Sequence, residues 1–258
     1  MQWNRFVAIG DSFTEGLGDV APNGGHQGWA DRLAATMAAQ DPGVQYANLA
    51  VRGRKLDEIV TVQLPRALAM SPALISIGGG INDAMGPRWD LLRSKKVLET
   101  GVIAARSEGI DVLLFAFGDV SRRSKALGAV SSRLRDYREV IHSVAEEHGC
   151  FLVDFWDERI FDDQRFWADD RLHLNDLGHE RVAAMVATTL GLGQFDSRHP
   201  LPPAPALTNR DVLISNAKWT SQHLLPWVGR HLRGRSSGDG IDAKRPQFDT
   251  IEPDLALR

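Results

Sequence analysis

The sequence predicts an α/β protein of three layers, in which a five-stranded parallel sheet lies between two layers of helices. Short apolar runs have the length of strands buried on both faces. They are Phe6 to Ile9, Gln45 to Leu49, Leu74 to Ile77, Val112 to Phe117 and Phe151 to Val153. Helical spacing of apolar residues marks the longer segments Trp29 to Ala39, Leu56 to Met70, Leu91 to Arg106, Leu134 to His148 and Leu177 to Leu190. This alternation of strand and helix indicates parallel strands with helices on both faces.

The composition of the 258 residues fits one large folded domain, or a domain with an appendage. Hydrophobic residues make up 43% of the chain and charged residues 24%, which argues against a disordered or fibrous protein. The formal net charge of -3 gives no reason to expect nucleic acid or an anionic membrane as the main partner. Because Cys150 is the single cysteine, an internal disulfide and a multi-cysteine metal site are excluded.

The character of the sequence changes near residue 193, where we expect the main domain of residues 1–193 to end. A linker is expected at 194–207, because its four prolines favour a stiff, extended segment. Residues 208–235 carry five Lys or Arg against one Asp, which predicts a basic, amphipathic, helical appendage. Residues 236–258 are expected to form a flexible tail. The sequence leaves open whether the appendage packs on the domain, contacts a membrane or joins the subunits of a homodimer.

The N-terminus does not resemble a secretory signal. The strand-like run from Arg5 to Ile9 follows Met1 without a basic segment and a long apolar core. No apolar run approaches the roughly 20 residues that span a bilayer. We therefore expect a cytoplasmic protein.

A candidate nucleophile follows the first predicted strand. Sheets of this kind bind ligands beyond the carboxyl ends of their strands, and Gly10-Asp11-Ser12-Phe13 begins there. A glycine-containing turn at this point would expose the Ser12 hydroxyl. A hydroxyl is a weak nucleophile until a neighbouring base accepts its proton, and the base works best when a third group orients it. We expect Asp11 to tie down the backbone of the turn.

The base and its orienting group occur together after the fifth predicted strand, in Asp169-Asp170-Arg171-Leu172-His173. Residues three apart in one turn of chain can face each other. Asp170 would then accept a hydrogen bond from one nitrogen of His173 and leave the other nitrogen free for the Ser12 proton. Asp169 is the nearest alternative to Asp170. The sequence therefore predicts a Ser12, His173 and Asp170 triad.

Acyl transfer also needs hydrogen-bond donors for the oxyanion that forms on the substrate carbonyl. After the second predicted strand, Gly53 can offer its backbone N–H with no side chain to block approach. After the third, Asn82 can offer its side-chain amide, and the N–H of Ser12 makes a third donor. We therefore expect Ser12, Gly53 and Asn82 to form an oxyanion hole.

These segments together resemble the ordered blocks of the GDSL/SGNH hydrolase family. The blocks are Gly10-Asp11-Ser12, the segment of Gly53, Gly80-Ile81-Asn82-Asp83 and Asp170-Arg171-Leu172-His173. The resemblance covers roughly residues 5 to 190, and Phe13 stands where the family's short name has leucine. It implies a flavodoxin-like α/β/α sandwich, no metal or other cofactor, and the serine, glycine, asparagine and histidine as site residues. It also implies hydrolysis of esters or thioesters through an acyl-enzyme.

The interpretation from sequence is a serine hydrolase of small-molecule carboxylic esters, with short acyl or acetyl esters preferred. Two alternatives stay open: a non-catalytic carbohydrate- or lipid-binding protein with this fold, and an acyltransferase. His179 is expected to be a packing or helix-surface residue rather than a second base. The cluster of His142, Glu146, Glu147 and His148 has helical spacing and is expected to be a solvated helix face rather than a metal site.

Overall fold

Among the residues that the structure describes, the central sheet has six strands, of which the first five are parallel. A computed structural model describes residues 2–22, 24–122, 128–203 and 237–257. The strands are β1 (Arg5–Gly10), β2 (Gln45–Asn48), β3 (Leu74–Gly78), β4 (Asp111–Ala116), β5 (Phe151–Asp154) and β6 (Arg245–Thr250). Their order across the sheet is β5-β4-β3-β1-β2-β6, and β6 runs antiparallel to β2. The predicted α/β sandwich is confirmed, with one more strand than the sequence indicated.

Helices cover both faces of this sheet. They are α1 (Ser12–Glu15), α2 (Trp29–Gln40), α3 (Leu56–Glu58), α4 (Leu64–Ala69), α5 (Ile81–Ala84), α6 (Leu91–Ser107), α7 (Gly128–His148) and α8 (Asp176–Thr189). The predicted helix from Leu56 to Met70 is divided into α3, a π-helical turn at Ile59–Gln63, and α4. Pro65 explains the division, because it lacks the N–H that a continuous α-helix would use at that position.

Each face of the sheet has its own hydrophobic core. Phe6 and Ala8 of β1 face a cluster built with α2 and α8, whereas Val7 and Ile9 face a cluster built with α3, α4, α6 and α7. Successive side chains of a strand point to opposite faces, so β1 is buried on both. This is why its sequence is a continuous apolar run rather than an alternating one.

The C-terminal residues differ from the flexible tail that we expected from Ser236 onward. Residues 245–250 form β6, and Pro253–Leu255 forms a 3-10 helix that packs on α2. Pro246 is compatible with β6 because this strand lies at the edge of the sheet, where a missing N–H costs no ladder bond. Residues 194–203 have no regular secondary structure. The predicted appendage at 208–235 lies outside the described residues, and its boundaries stay a prediction.

The register of the sheet brings three chain segments to one edge. Gly10 at the end of β1 is level with Gly78 at the end of β3, and Ala8 is level with Asn48 at the end of β2. The residues that follow these strands therefore emerge side by side. Within the residues described, no helix is long and apolar enough to cross a membrane.

Candidate active site

Ser12 lies at the first position of α1, directly beyond the end of β1. The turn requires a glycine before it, because a Cβ on Gly10 would lie 2.4 Å from the Gly78 carbonyl oxygen and 2.6 Å from the Thr14 hydroxyl. Asp11 caps the short helix by accepting a hydrogen bond from the Phe13 N–H at 3.1 Å. The side chain of Asp11 thus holds the turn's backbone, as the sequence indicated.

Ser12, His173 and Asp170 are joined by hydrogen bonds in the predicted order. The Nε2 atom of His173 lies 3.0 Å from the Ser12 Oγ, and its Nδ1 lies 2.6 Å from an Asp170 carboxylate oxygen. The side chains of His173 and Asp170 are 19% and 30% exposed, so solvent reaches both. With Nδ1 donating to Asp170, Nε2 is the nitrogen that can accept the Ser12 proton.

The loop between β5 and α8 folds so that Asp170 and His173 face each other. The second carboxylate oxygen of Asp170 accepts hydrogen bonds from the N–H groups of Leu172 and His173, at 2.9 and 3.0 Å. Arg171 takes a left-handed backbone conformation with φ of 56°, which is uncommon for a residue with a side chain. The Ala168 N–H donates a hydrogen bond to the His173 carbonyl at 2.8 Å, which closes the loop.

Asp170 is held in its ionised form. Burial raises the pKa of this carboxyl, but the hydrogen bond and charge of His173 and the two backbone donors outweigh burial and lower the pKa to about 2. Asp170 therefore remains an anion at neutral pH. It can orient the imidazole and stabilise a positive charge on it.

Two backbone donors at this edge of the sheet are available to a ligand. Among the described residues, the N–H groups of Ser12 and Gly53 donate to no protein acceptor. Gly53 has φ of 72°, a conformation that glycine adopts without steric cost. Its neighbours place it near Ser12, because Val51 N–H donates to the Gly10 carbonyl at 3.2 Å.

Asn82 reaches the same place from the start of α5, but its amide is occupied. It donates to the Asp11 carboxylate and to the Arg54 carbonyl, each at 3.0 Å. The structure therefore brings Asn82 beside the segments of Ser12 and Gly53, as expected. It also shows a contact with Asp11 that the sequence did not indicate, since no local spacing relates residues 11 and 82.

A partly buried ion pair that the sequence did not reveal links α1 to the loop of Gly53. Glu15 accepts a hydrogen bond from the Arg52 N–H at 2.6 Å, and its carboxylate also pairs with the Arg52 guanidinium. The side chain of Glu15 is 6% exposed. The one signal in the sequence is an acidic residue three positions after Ser12, which by itself does not identify its partner.

Aromatic rings support the nucleophile turn from below. The ring of Phe13 lies 5.6, 5.3 and 5.5 Å from those of Trp29, Phe115 and Phe117. Phenylalanine at this position therefore has a packing role under Ser12. Phe166, which precedes the Asp170 loop in the chain, is 1% exposed and belongs to the core.

Helical spacing grouped four residues on α7, of which Glu147 and His148 stay together in the structure and His142 has a different partner. His142 contacts Asp154 at 2.8 Å. Among the described residues, Glu99, Glu147 and His148 are close enough to share a metal ion, with ligand atoms within 4.8 Å of one another. His148 Nε2 lies 3.5 Å from a Glu99 carboxylate oxygen.

Comparison with known proteins gives a family match over most of the folded part. Residues 8–181 match the family model described as the GDSL-like lipase/acylhydrolase family, which is more than half of the chain. No curated protein matches the chain significantly.

Several solved structures have the same fold at low sequence identity. LAE5, an alpha/beta hydrolase enzyme from the metagenome of Lake Arreo in Spain, is 23% identical with a TM-score of 0.59, over 73% of this chain and 95% of that chain. Axe2, an acetylxylan esterase from Geobacillus stearothermophilus, is 18% identical with a TM-score of 0.61, over 76% and 96%. A lipase/acylhydrolase from Enterococcus faecalis is 20% identical with a TM-score of 0.58, over 72% and 95%. At these identities the likeness concerns the fold.

Proposed function

The chain belongs to the GDSL-like lipase/acylhydrolase family, a family of carboxylic ester hydrolases, and we propose that it cleaves short acyl esters through a covalent intermediate on Ser12. The observation that carries this proposal is the hydrogen-bonded series of Ser12, His173 and Asp170 at one edge of the sheet. A serine hydroxyl bonded to an imidazole, which is oriented by a carboxylate, is the arrangement that activates a serine for attack.

In the first half of the reaction, Ser12 Oγ attacks the ester carbonyl carbon while His173 Nε2 takes the hydroxyl proton. Asp170 keeps the imidazole in the required tautomer and stabilises the imidazolium. The tetrahedral intermediate then collapses, the carbon–oxygen bond to the alcohol breaks, and His173 returns the proton to the leaving oxygen. In the second half, His173 removes a proton from water as the water oxygen attacks the acyl carbon. The bond from this carbon to Ser12 Oγ then breaks, His173 returns the proton to Oγ, and the free acid leaves.

The negative charge on the carbonyl oxygen is stabilised by the N–H groups of Ser12 and Gly53 and by the Asn82 amide. Losing one such donor costs about 100- to 1000-fold in rate. Since the Asn82 amide is bonded to Asp11 and Arg54 in the resting structure, one of these hydrogen bonds lengthens or is shared when the oxyanion forms.

We expect the substrate to carry a short acyl group on a polar alcohol. A groove that includes Asp83, the residue after Asn82, is lined by charged side chains, among them Lys55 and Arg88, and by the apolar Leu56 and Val97. Its charged groups can exchange hydrogen bonds with the hydroxyls of a sugar. Axe2, which shares the fold, is named an acetylxylan esterase. Acetyl esters of sugars are therefore the substrates to test first.

The nucleophile can be tested by Ser12→Ala, with Ser107→Ala at the end of α6 as the control. We expect Ser12→Ala to lower kcat on a short activated ester by at least about 10⁴-fold, because the attacking oxygen is lost. The Ser107 variant should retain the wild-type rate. Unchanged turnover in Ser12→Ala, with a folded protein by circular dichroism, would refute the proposal.

A second measurement separates hydrolysis from the alternative functions. An organophosphonate should form an adduct on Ser12, detected by mass spectrometry of the peptide, because only an activated serine reacts. A chain that binds sugars or lipids without turnover would not be labelled.

Analysis of the products separates hydrolysis from acyl transfer. With a sugar acceptor present, a hydrolase should release free acid, whereas an acyltransferase should form a transferred ester.

A further inference from the structure

The loop of residues 51–54, here called the Gly53 loop, is held on one side by the active site. Arg52 N–H donates to Glu15, and the Arg54 carbonyl accepts the Asn82 amide. These contacts leave the Gly53 N–H without a protein acceptor among the described residues. The position of that donor depends on whatever holds the loop from its other side.

The other side of the Gly53 loop is covered by the C-terminal turn at residues 237–240. Gly238 is buried there, and a Cβ on it would lie 2.1 Å from the Arg52 carbonyl oxygen and 3.0 Å from a Val51 methyl group. The Arg54 guanidinium donates to the Gly238 carbonyl at 3.3 Å. Backbone packs directly on backbone at this point, which a residue with a side chain would prevent.

The chain that follows the turn is anchored by the partly buried Lys244 and by β6. Lys244 Nζ donates to the carbonyl groups of His26 and Gln27 and pairs with Asp31 at 2.8 Å, and its side chain is 17% exposed. Immediately after Lys244, β6 joins β2 in the sheet. An ammonium desolvated to this extent is stable only with such partners. The turn is therefore held by contacts with the rest of the protein in addition to its contact with the Gly53 loop.

We propose that Gly238, in the turn at 237–240, is a positioning residue of the active site, whose packing on the Gly53 loop keeps the Gly53 N–H pointed at the oxyanion. This inference rests on the proposed function, which makes Gly53 an oxyanion donor. The segment lies outside residues 8–181, the part that matches the family. The C-terminal segment is thus an addition that completes the catalytic geometry of this chain.

The inference is tested in the full chain by Gly238→Ala, with Gly240→Ala as the matched control. Gly240 belongs to the same turn and has φ of 75°, and a Cβ added to it would meet no atom within 4 Å. The control therefore carries the backbone strain of losing a glycine at positive φ, whereas Gly238→Ala has no such strain and instead brings a collision with the Arg52 carbonyl. The collision is relieved by movement of either the turn or the Gly53 loop, and in both cases the contact between them is lost.

Two readouts are expected to respond to Gly238→Ala. The kcat per phosphonate-labelled site should fall roughly 10- to 100-fold, with KM changed less than about threefold, because a misplaced donor affects the transition state more than substrate binding. Amide hydrogen exchange in peptides that cover residues 51–54 should accelerate. The Gly240 variant should match the wild type in kcat within about twofold.

A kcat that stays at the wild-type value in Gly238→Ala overturns the inference, whether or not exchange accelerates. Exchange in the Gly53 loop equal to that of the Gly240 control also overturns it. Failure of the proposed function is recognised separately, because the wild-type chain would then give no adduct on Ser12. The exchange comparison needs no activity and still decides whether the turn holds the loop.

Discussion

At the scale of single residues, Asp11 connects the nucleophile turn to the oxyanion side of the site. One carboxylate oxygen accepts the Phe13 N–H and the other accepts the Asn82 amide. Burial raises the pKa of Asp11 to about 7, although the backbone hydrogen bond of Phe13 and the charge of His173 oppose the shift. The group that holds Asn82 therefore titrates near neutral pH.

This shift predicts a pH-dependent difference in stability between the wild type and Asp11→Asn. The folded protein binds the Asp11 proton more tightly than the unfolded chain, whose pKa is near 3.8. The contribution of Asp11 is therefore fully present below about pH 4 and is lost as the pH rises to about 7. From about pH 5 to about pH 8, the free energy of unfolding of the wild type should fall by roughly 1–3 kcal/mol relative to the variant. Urea unfolding at the two pH values measures this, and a constant difference would contradict it.

At the scale of elements, α8 is joined to the start of α2 and to the turn after α1 by one buried histidine. The Trp29 N–H at the start of α2 donates to His179 Nδ1 at 3.2 Å, and His179 Nε2 donates to the Leu17 carbonyl at 3.1 Å. Both nitrogens are satisfied only in the neutral ring. Burial lowers the pKa of His179 to about 4. The predicted packing role of His179 is consistent with these contacts.

We expect acid to destabilise the wild type more than His179→Gln. The unfolded chain takes up the histidine proton near pH 6.5, whereas the folded protein resists it to about pH 4. Stability supplied by the neutral ring is thus present above about pH 6.5 and is lost as the pH falls towards 4. Between about pH 7 and about pH 4.5, the wild type should lose roughly 1–3 kcal/mol more than the variant in chemical unfolding. Equal losses in both proteins would argue against a buried neutral His179.

At the scale of the whole molecule, two separate cores stabilise the sheet from opposite faces. Leu33 of α2 is fully buried in one cluster, and Leu98 of α6 is 3% exposed in the other. Leu92, also on α6, is 79% exposed. Both clusters span several helices and the sheet, so neither layer can be lost without exposing the strands.

Truncation of either core should therefore be costly. Leu33→Ala and Leu98→Ala are each expected to lower the free energy of unfolding by about 2–5 kcal/mol, through lost burial and the cavity left behind. Leu92→Ala, the exposed control, should change it by less than about 0.5 kcal/mol. Denaturant midpoints measure all three. If truncating one core had a negligible effect and truncating the other a large one, the helices over the first core would be dispensable for stability.

The parts of the site that the sequence could predict are those that follow strands. Ser12, Gly53 and Asn82 were expected at the carboxyl ends of three parallel strands, and the structure brings these segments together. Asp170 and His173 were paired from their local spacing. Glu15 with Arg52, and Asp11 with Asn82, were not predicted, because each pair joins residues far apart in the chain and no periodicity relates them.

By itself, the sequence determined the strand and helix alternation, the parallel sheet buried on both faces and the order of the candidate site residues. These depend on local hydrophobic spacing and on turn residues next to strands, both of which are properties of short segments. Only the tertiary structure decided the sixth strand and the contact of Gly238 with the Gly53 loop. The sequence of β6 has little apolar content and contains a proline, so its position is set by pairing with β2 and by the burial of Lys244 against Asp31. Such partners lie about two hundred residues apart in the chain, and only folding brings them together.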